Sequence, residues 1–299
     1  MKQVAVMSGK GGTGKTSVTA ALASLARGTV LADCDSGAPD LGLLVGPLRS
    51  RRPERPLRVG FEFIVDHEWC IGCGQCTTVC RFGAVAVRND AGLGKWVAVI
   101  DAVSCIGCGC CADVCPVEAI GMRDKLVGSI RVTNTRFGPL VDACLEVGKS
   151  GSGRLVAEVR DTAARIAVDD ARDLVLIDGA PGIGCPVIAG LSGVDAALLV
   201  AEPSESGRHD LGRILEVCVH FSIPSLVVVN KRDIYPELAE QVERECIRDG
   251  IRVLPGIPFH QAFHEASMRG VTVMDLPAPD LHRIMREIWV GLQGVVRGG

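Results

Sequence analysis

The 299-residue sequence has no apolar run approaching 18 residues, so it contains no candidate transmembrane helix. It also lacks an excess of positive charge. Lysine and arginine number 32 against 35 aspartates and glutamates, a formal net charge of −3, which argues against nucleic-acid binding by bulk electrostatics. No apolar secretory segment opens the chain, because Met1-Lys2-Gln3-Val4-Ala5-Val6 leads straight into glycines. Together these absences lead us to expect a cytoplasmic protein with no nucleic-acid partner and no stable membrane association. What is present is a core-forming composition. Apolar residues make up 47% of the chain and charged ones 22%, which excludes disorder and allows one large domain or two small ones.

Gln3 to Ser8 reads as a buried strand, followed by Gly9-Lys10-Gly11-Gly12-Thr13-Gly14-Lys15-Thr16 and by helical spacing over 17–27. Thr29 to Ala32 is a second apolar strand and runs into Asp33-Cys34-Asp35. Further along, the strands Leu174–Asp178, Ala196–Ala201, Ser225–Val229 and Arg252–Leu254 alternate with helical patterns at 154–167, 207–221 and 237–249. Strands that are apolar throughout and alternate with helices predict an α/β domain, its mostly parallel sheet covered on both faces. A cysteine-rich stretch interrupts this pattern. The expected division is a P-loop domain in two parts, 1–58 and 126–299, with an insertion at 59–125. Just before the insertion, residues 49–58 hold five arginines, which reads as a solvated linker or as a docking surface for an acidic partner.

The stretch Gly9 to Thr16 fits G-x-x-x-x-G-K-[ST] and lies between a strand and a helix. In that setting the backbone N–H groups of Gly11, Gly12, Thr13, Gly14, Lys15, Thr16 and Ser17 cradle a polyphosphate at a helix N-terminus. Lys15 is expected to reach the β/γ-phosphates and the Thr16 hydroxyl to bind Mg²⁺.

Fourteen cysteines are many for a chain of this kind, and nine of them fall between Cys70 and Cys115. In a reducing compartment such clustering means metal or redox chemistry. Cys70, Cys73, Cys76 and Cys80 follow C-x₂-C-x₂-C-x₃-C, and Cys105, Cys108, Cys111 and Cys115 repeat it, followed by Pro116. This doubled spacing is that of a bacterial-type ferredoxin with two [4Fe–4S] clusters, in which the fourth cysteine of each run serves the other cluster. The expected sets are Cys70, Cys73, Cys76 with Cys115, and Cys105, Cys108, Cys111 with Cys80. Structural zinc is the competing reading, although zinc sites usually pair two separated C-x₂-C units. Arg81 stands where the second run has Pro116. Cys110 is surplus and reads as a small side chain in a crowded loop. Cys34, Cys144, Cys218 and Cys246 read as buried thiols. Cys185 reads as a packing residue or as a ligand shared across a dimer face.

With Lys10 ahead of it, Lys-Gly-Gly-Thr-Gly-Lys-Thr resembles the deviant Walker A motif of the MinD/ParA/Mrp and nitrogenase iron-protein superfamily. The resemblance implies ATP/ADP and Mg²⁺ as ligands and a homodimer in the ATP state, with Lys10 acting on the partner's nucleotide. It makes Asp35 the residue that positions the attacking water and Asp178, in Asp178-Gly179-Ala180-Pro181-Gly182, a Mg²⁺ holder through water. The Gly182 N–H would sense the γ-phosphate. Asn230, opening Asn230-Lys231-Arg232-Asp233, would read the base, and Pro255, Ile257 and Pro258 would cover the adenine. With the cysteine block included, the chain is similar to MinD/Mrp-type ATPases that carry an inserted ferredoxin domain. Three functions are compatible with that likeness. They are iron–sulfur or metal-cofactor assembly, ATP-gated electron transfer, and a MinD/ParA-like positioning switch with structural or sensing clusters. The implied partners are a second copy, a homologous ATPase paralogue, or a metal-cofactor or redox protein. The C-terminal stretch 281–289 is amphipathic and is expected to dock on the chain's own sheet.

Overall fold

The computed structural model describes residues 1–26, 28–35, 37, 39–51, 54–146 and 153–298. It divides into two units, one built from residues 1–55, 129–145 and the chain beyond 153, the other chiefly from Pro56–Gly128.

In the first unit, strand β1 (Lys2–Ser8) leads through the glycine-rich loop into helix α1 (Lys15–Leu25), followed by β2 (Thr29–Asp33), α2 (Leu41–Val45) and β3 (Pro47–Arg51). The second unit holds β4 (Arg55–Val65), α3 (Gln75–Val79), β5 (Val85–Asp90), β6 (Lys95–Ile100) and α4 (Cys110–Asp113). Strands β7 (Ile120–Thr135) and β8 (Gly138–Leu145) come next. They lead to α5 (Gly153–Asp169), β9 (Leu174–Pro181), α6 (Cys185–Leu191), β10 (Ala196–Ala201), α7 (Glu205–His220), β11 (Ser225–Val229), α8 (Pro236–Arg248), β12 (Arg252–Val253), α9 (Gln261–Arg269) and α10 (Pro279–Gly298).

The sheet runs β12-β11-β10-β1-β9-β2-β8, and these strands pair in parallel. Every residue of β2 and β10 is buried, as expected of strands covered on both faces. On one face Val18, Ala21 and Leu22 of α1 and Leu281, Met285, Ile288 and Leu292 of α10 pack against Val4, Val6, Leu198 and Val228. The amphipathic C-terminal stretch thus docks on its own sheet.

Two features depart from the sequence expectations. Residues 120–145 form two long strands, β7 and β8, joined at Arg136 and Phe137, and β8 lies parallel beside β2. Arg123, Asp124 and Lys125 break the apolar pattern of β7, which hid it. The arginine-rich stretch is also less of a free linker than expected. Its first residues belong to β3, which pairs antiparallel with β7, and Arg55 donates to Glu158 and Thr162 of α5. Arg52 and Pro53 lie outside the described residues.

The second unit has a small core. Its buried cluster is Cys70, Cys76, Val85, Val97, Ala98, Cys111, Ala119 and Ile120, so three of eight members are cysteines. The β5–β6 hairpin pairs antiparallel from Val85–Ile100 to Asp90–Lys95 and supplies three of the others.

Candidate functional site

β1 lies centrally in the sheet, so the residues at the carboxyl ends of its neighbours β9 and β10 face the loop that follows it. Ligands in open α/β sheets bind at this edge. Gly14 sits at φ 88° and caps α1, and a Cβ there would collide with the Asn230 side chain. Glycine is required there on both counts. Because Gly14 allows the turn, α1 begins at Lys15, two residues before the expected start.

Lys15 is buried and donates to Asp178 Oδ1 at 2.8 Å, and its Nζ lies 3.9 Å from Asp35. Thr16 Oγ1 donates to Asp178 Oδ2 at 2.7 Å and Thr19 Oγ1 to Oδ1 at 2.9 Å. The structure therefore brings Lys15, Thr16, Asp35 and Asp178 together. Asp178 lies inside β9 rather than at its end and is fully buried, its carboxylate held by Lys15, Thr16 and Thr19. Asp33, adjacent in the sheet, accepts from Leu41 N and Asp35 N. Burial, reinforced by the neighbouring Asp178 charge, pushes the Asp33 carboxyl well above the usual carboxylate range. Ser36 and Ala38 of the expected switch segment lie outside the described residues.

Three expected ligand contacts are occupied within the chain. Lys10 does not reach outward. Its Nζ lies 2.5 Å from Glu202 Oε1 and donates to Ser204 at 3.0 Å and Ser206 at 2.9 Å. The Gly182 N–H donates to Ser8 O at 3.0 Å. Asn230 spends one amide N–H on Thr13 O at 2.7 Å and so braces the glycine-rich loop. Of the three residues expected to cover the adenine, Ile257 lies beside Asn230. Ile257 forms a parallel bridge to it, and Phe259 N donates to Asp233 Oδ1.

Glu202 is the residue that the sequence reading missed. It accepts from Lys231 at 3.2 Å as well as from Lys10, and Lys231 also donates to Gly12 O. Burial raises the Glu202 carboxyl, but the hydrogen bonds from Lys10 and Lys231 outweigh it and hold the group below its ordinary range. The sequence shows only a carboxylate directly after an apolar strand; that this strand, β10, lies beside β1 comes from the fold. Asp210 adds a packing contact, since a Cβ on Gly9 would meet its backbone.

In the second unit the eight cysteines of the doubled pattern fall into two hollows. Cys70, Cys73, Cys76 and Cys115 line one, with Ala98, Val117 and Ile120. Cys80, Cys105, Cys108 and Cys111 line the other, with Cys110, Phe63 and Ile100. Backbone N–H groups of Ala98, Ala84 and Ala119 each point at a sulfur, of Cys70, Cys80 and Cys115 respectively, at 3.3 Å. Gly72 and Gly107 let the loops close up, because a Cβ on either would strike the carbonyl of Trp96 or Phe61. All fourteen cysteines are free thiols. Among the described residues no three His, Cys, Asp or Glu side chains converge on a single metal-ion position. Cys34, Cys218 and Cys246 are buried, and burial drives the Cys246 thiol up to about 11, which keeps it inert. Cys144 is exposed, contrary to expectation, because the buried run of β8 ends at Ala143. Cys185 is exposed at the start of α6.

No described helix is long and apolar enough to cross a membrane. Residues 4–273 match the model of the CobQ/CobB/MinD/ParA nucleotide-binding domain. The uncharacterized protein MJ0578 of Methanocaldococcus jannaschii is 36% identical over 233 residues, covering 77% of this chain and 78% of that protein. Among solved structures, the cell division ATPase MinD of Pyrococcus furiosus shares 20% identity with a TM-score of 0.54, over 96% of this chain and 98% of its own. The septum site-determining protein MinD of Pyrococcus horikoshii, complexed with Mg-ADP, shares 18% identity with a TM-score of 0.55, over 96% and 95%. At these identities the structures attest the fold. Fold, phosphate loop and family match agree: the chain belongs to the CobQ/CobB/MinD/ParA nucleotide-binding family of P-loop ATPases.

Proposed function

We propose that the chain is a dimeric ATP switch coupled to two [4Fe–4S] clusters and that it serves iron–sulfur or metal-cofactor assembly. The observation that carries the cluster half is the sorting of eight cysteines into two hollows, each taking three thiols from one loop and the fourth from the other. That crossed pairing, on a doubled C-x₂-C-x₂-C-x₃-C spacing, is the pattern of two-cluster bacterial ferredoxins. In a cubane each thiolate binds its own iron, so the thiols stand around a volume instead of meeting at one point. A core in which three of eight buried residues are cysteines is also small for a unit of this length, and small units of that kind are normally held by a metal or disulfides. Bound clusters would supply electron storage, and the eight thiolates would hold them.

On the nucleotide side the chain's own groups do the work. The loop amides and Lys15 bind polyphosphate, which requires Lys15 to exchange Asp178 for phosphate oxygens. Asp178 and Thr16 are then left to hold Mg²⁺, a ligand present with ADP in the Pyrococcus horikoshii relative. Asp35 would orient water, a reading supported by its carboxylate lying 3.9 Å from Lys15 Nζ. Lys10 must leave Glu202 before it can serve a second copy, so dimer closure competes with a contact inside the chain.

Anaerobic iron and sulfide content, with the EPR spectrum of the dithionite-reduced protein, tests the reading. About eight irons per chain with coupled [4Fe–4S] signals support it. Tightly bound zinc with little iron overturns it. A labile cluster beyond those eight irons marks assembly, whereas stable clusters with ATP-dependent electron transfer to an acceptor mark a reductase.

A further inference from the structure

The two cysteine loops are near copies. Cys70-Ile71-Gly72-Cys73-Gly74-Gln75-Cys76 and Cys105-Ile106-Gly107-Cys108-Gly109-Cys110-Cys111 agree at six positions of seven. Their backbones repeat as well. Gly72 and Gly107 have φ of 68° and 77°, while Gly74 and Gly109, at 76° and 87°, cap α3 and α4. The one difference is Gln75 against Cys110, and each lines the hollow of its own loop. The second hollow therefore has five thiols and the first has four. Cys110 is exposed, as is Cys108, and both line the second hollow, one on each side of Gly109.

We propose that Cys110 is an exchangeable ligand of the second cluster, a fifth thiol that replaces Cys108 at its iron. The inference rests on the cluster reading above. In the exchange the Cys110 sulfur releases its proton and bonds to iron, and the Cys108 sulfur leaves iron and takes up a proton. No electrons move, and the ligand shell keeps its charge. Gly109, between the two cysteines and already at positive φ, supplies the backbone freedom such a turn needs. The first cluster has no such reserve, since the neutral amide of Gln75 is a poor substitute for a thiolate on iron. Of the two clusters, only the second can alter its ligand set without losing iron.

The test is iron content and reduced-state EPR of full-length variants prepared anaerobically. Wild type is expected to hold about eight irons. Cys73→Ser should fall to about four, and Cys108→Ser should stay near eight with an altered second-cluster signal. Cys108→Ser combined with Cys110→Ser should fall to about four. A gain-of-function variant removes dependence on any loss: adding Gln75→Cys to Cys73→Ser should restore about eight. Loss of the second cluster in Cys108→Ser, together with no rescue by Gln75→Cys, overturns the inference while leaving the cluster reading intact. A wild-type chain without iron overturns both.

Discussion

The two units of this chain achieve order in opposite ways. In the nucleotide unit, polar groups awaiting a ligand satisfy one another. Lys15, Thr16 and Thr19 close on Asp178, and Lys10 and Lys231 close on Glu202. Its sheet is walled by the apolar faces of helices such as α1 and α10 and folds around a core of its own. In the cysteine-rich unit, thiols occupy three of the eight places in the buried core. One unit is preassembled for its ligand; under the proposed function the other would depend on its clusters to be assembled. A switch needs the first kind of site, because ligand contacts must replace internal ones of similar strength.

The largest effect that could break this comparison is iron removal. Chelation should unfold residues 56–128 and leave β1, β9 and β10 protected in hydrogen exchange, with nucleotide still bound. Equal loss of protection in both units would refute the contrast. Next in size, Lys15→Ala and Asp178→Ala should each lower ATP hydrolysis by about 100-fold or more, since each removes a preorganised charge at the phosphates. Steady-state rates at saturating Mg·ATP check this. Lys10→Ala sharpens the picture further. It should keep nucleotide affinity within a few-fold while abolishing ATP-dependent dimerisation, measured by light scattering.

The smallest effect concerns Glu202. Its ion pairs are partly exposed, so Glu202→Gln should cost at most about 1 kcal/mol in urea unfolding at neutral pH. The native carboxyl is held below its ordinary range, so its contribution is complete above the unfolded-state pKa and fades as pH falls through the native one. Wild type and Glu202→Gln should therefore converge in acid, below the ordinary glutamate range. A gap that widens there would contradict the assigned partners.

Much of this was legible in the sequence, for identifiable reasons. β10 and β11 were read to the residue because strands buried on both faces are apolar throughout and end abruptly. The phosphate loop was legible because its glycines are demanded by backbone geometry. Strand β7 was not, because charged residues mid-strand erase the periodicity on which strand reading depends. Glu202 was invisible for another reason: its role comes from β10 lying beside β1, a neighbourhood that the chain order does not reveal. Asn230 was identified as a site residue, but its brace on Thr13 depends on a glycine 216 positions away.

The most direct test of the proposed coupling is the reduction potential of the proposed clusters with Mg·ADP and with Mg·ATP, in wild type and in Lys10→Ala. The account predicts a potential that moves on exchanging ADP for ATP in wild type and stays fixed in Lys10→Ala. A wild-type potential that ignores the nucleotide, in a protein with about eight irons and normal hydrolysis, would contradict it.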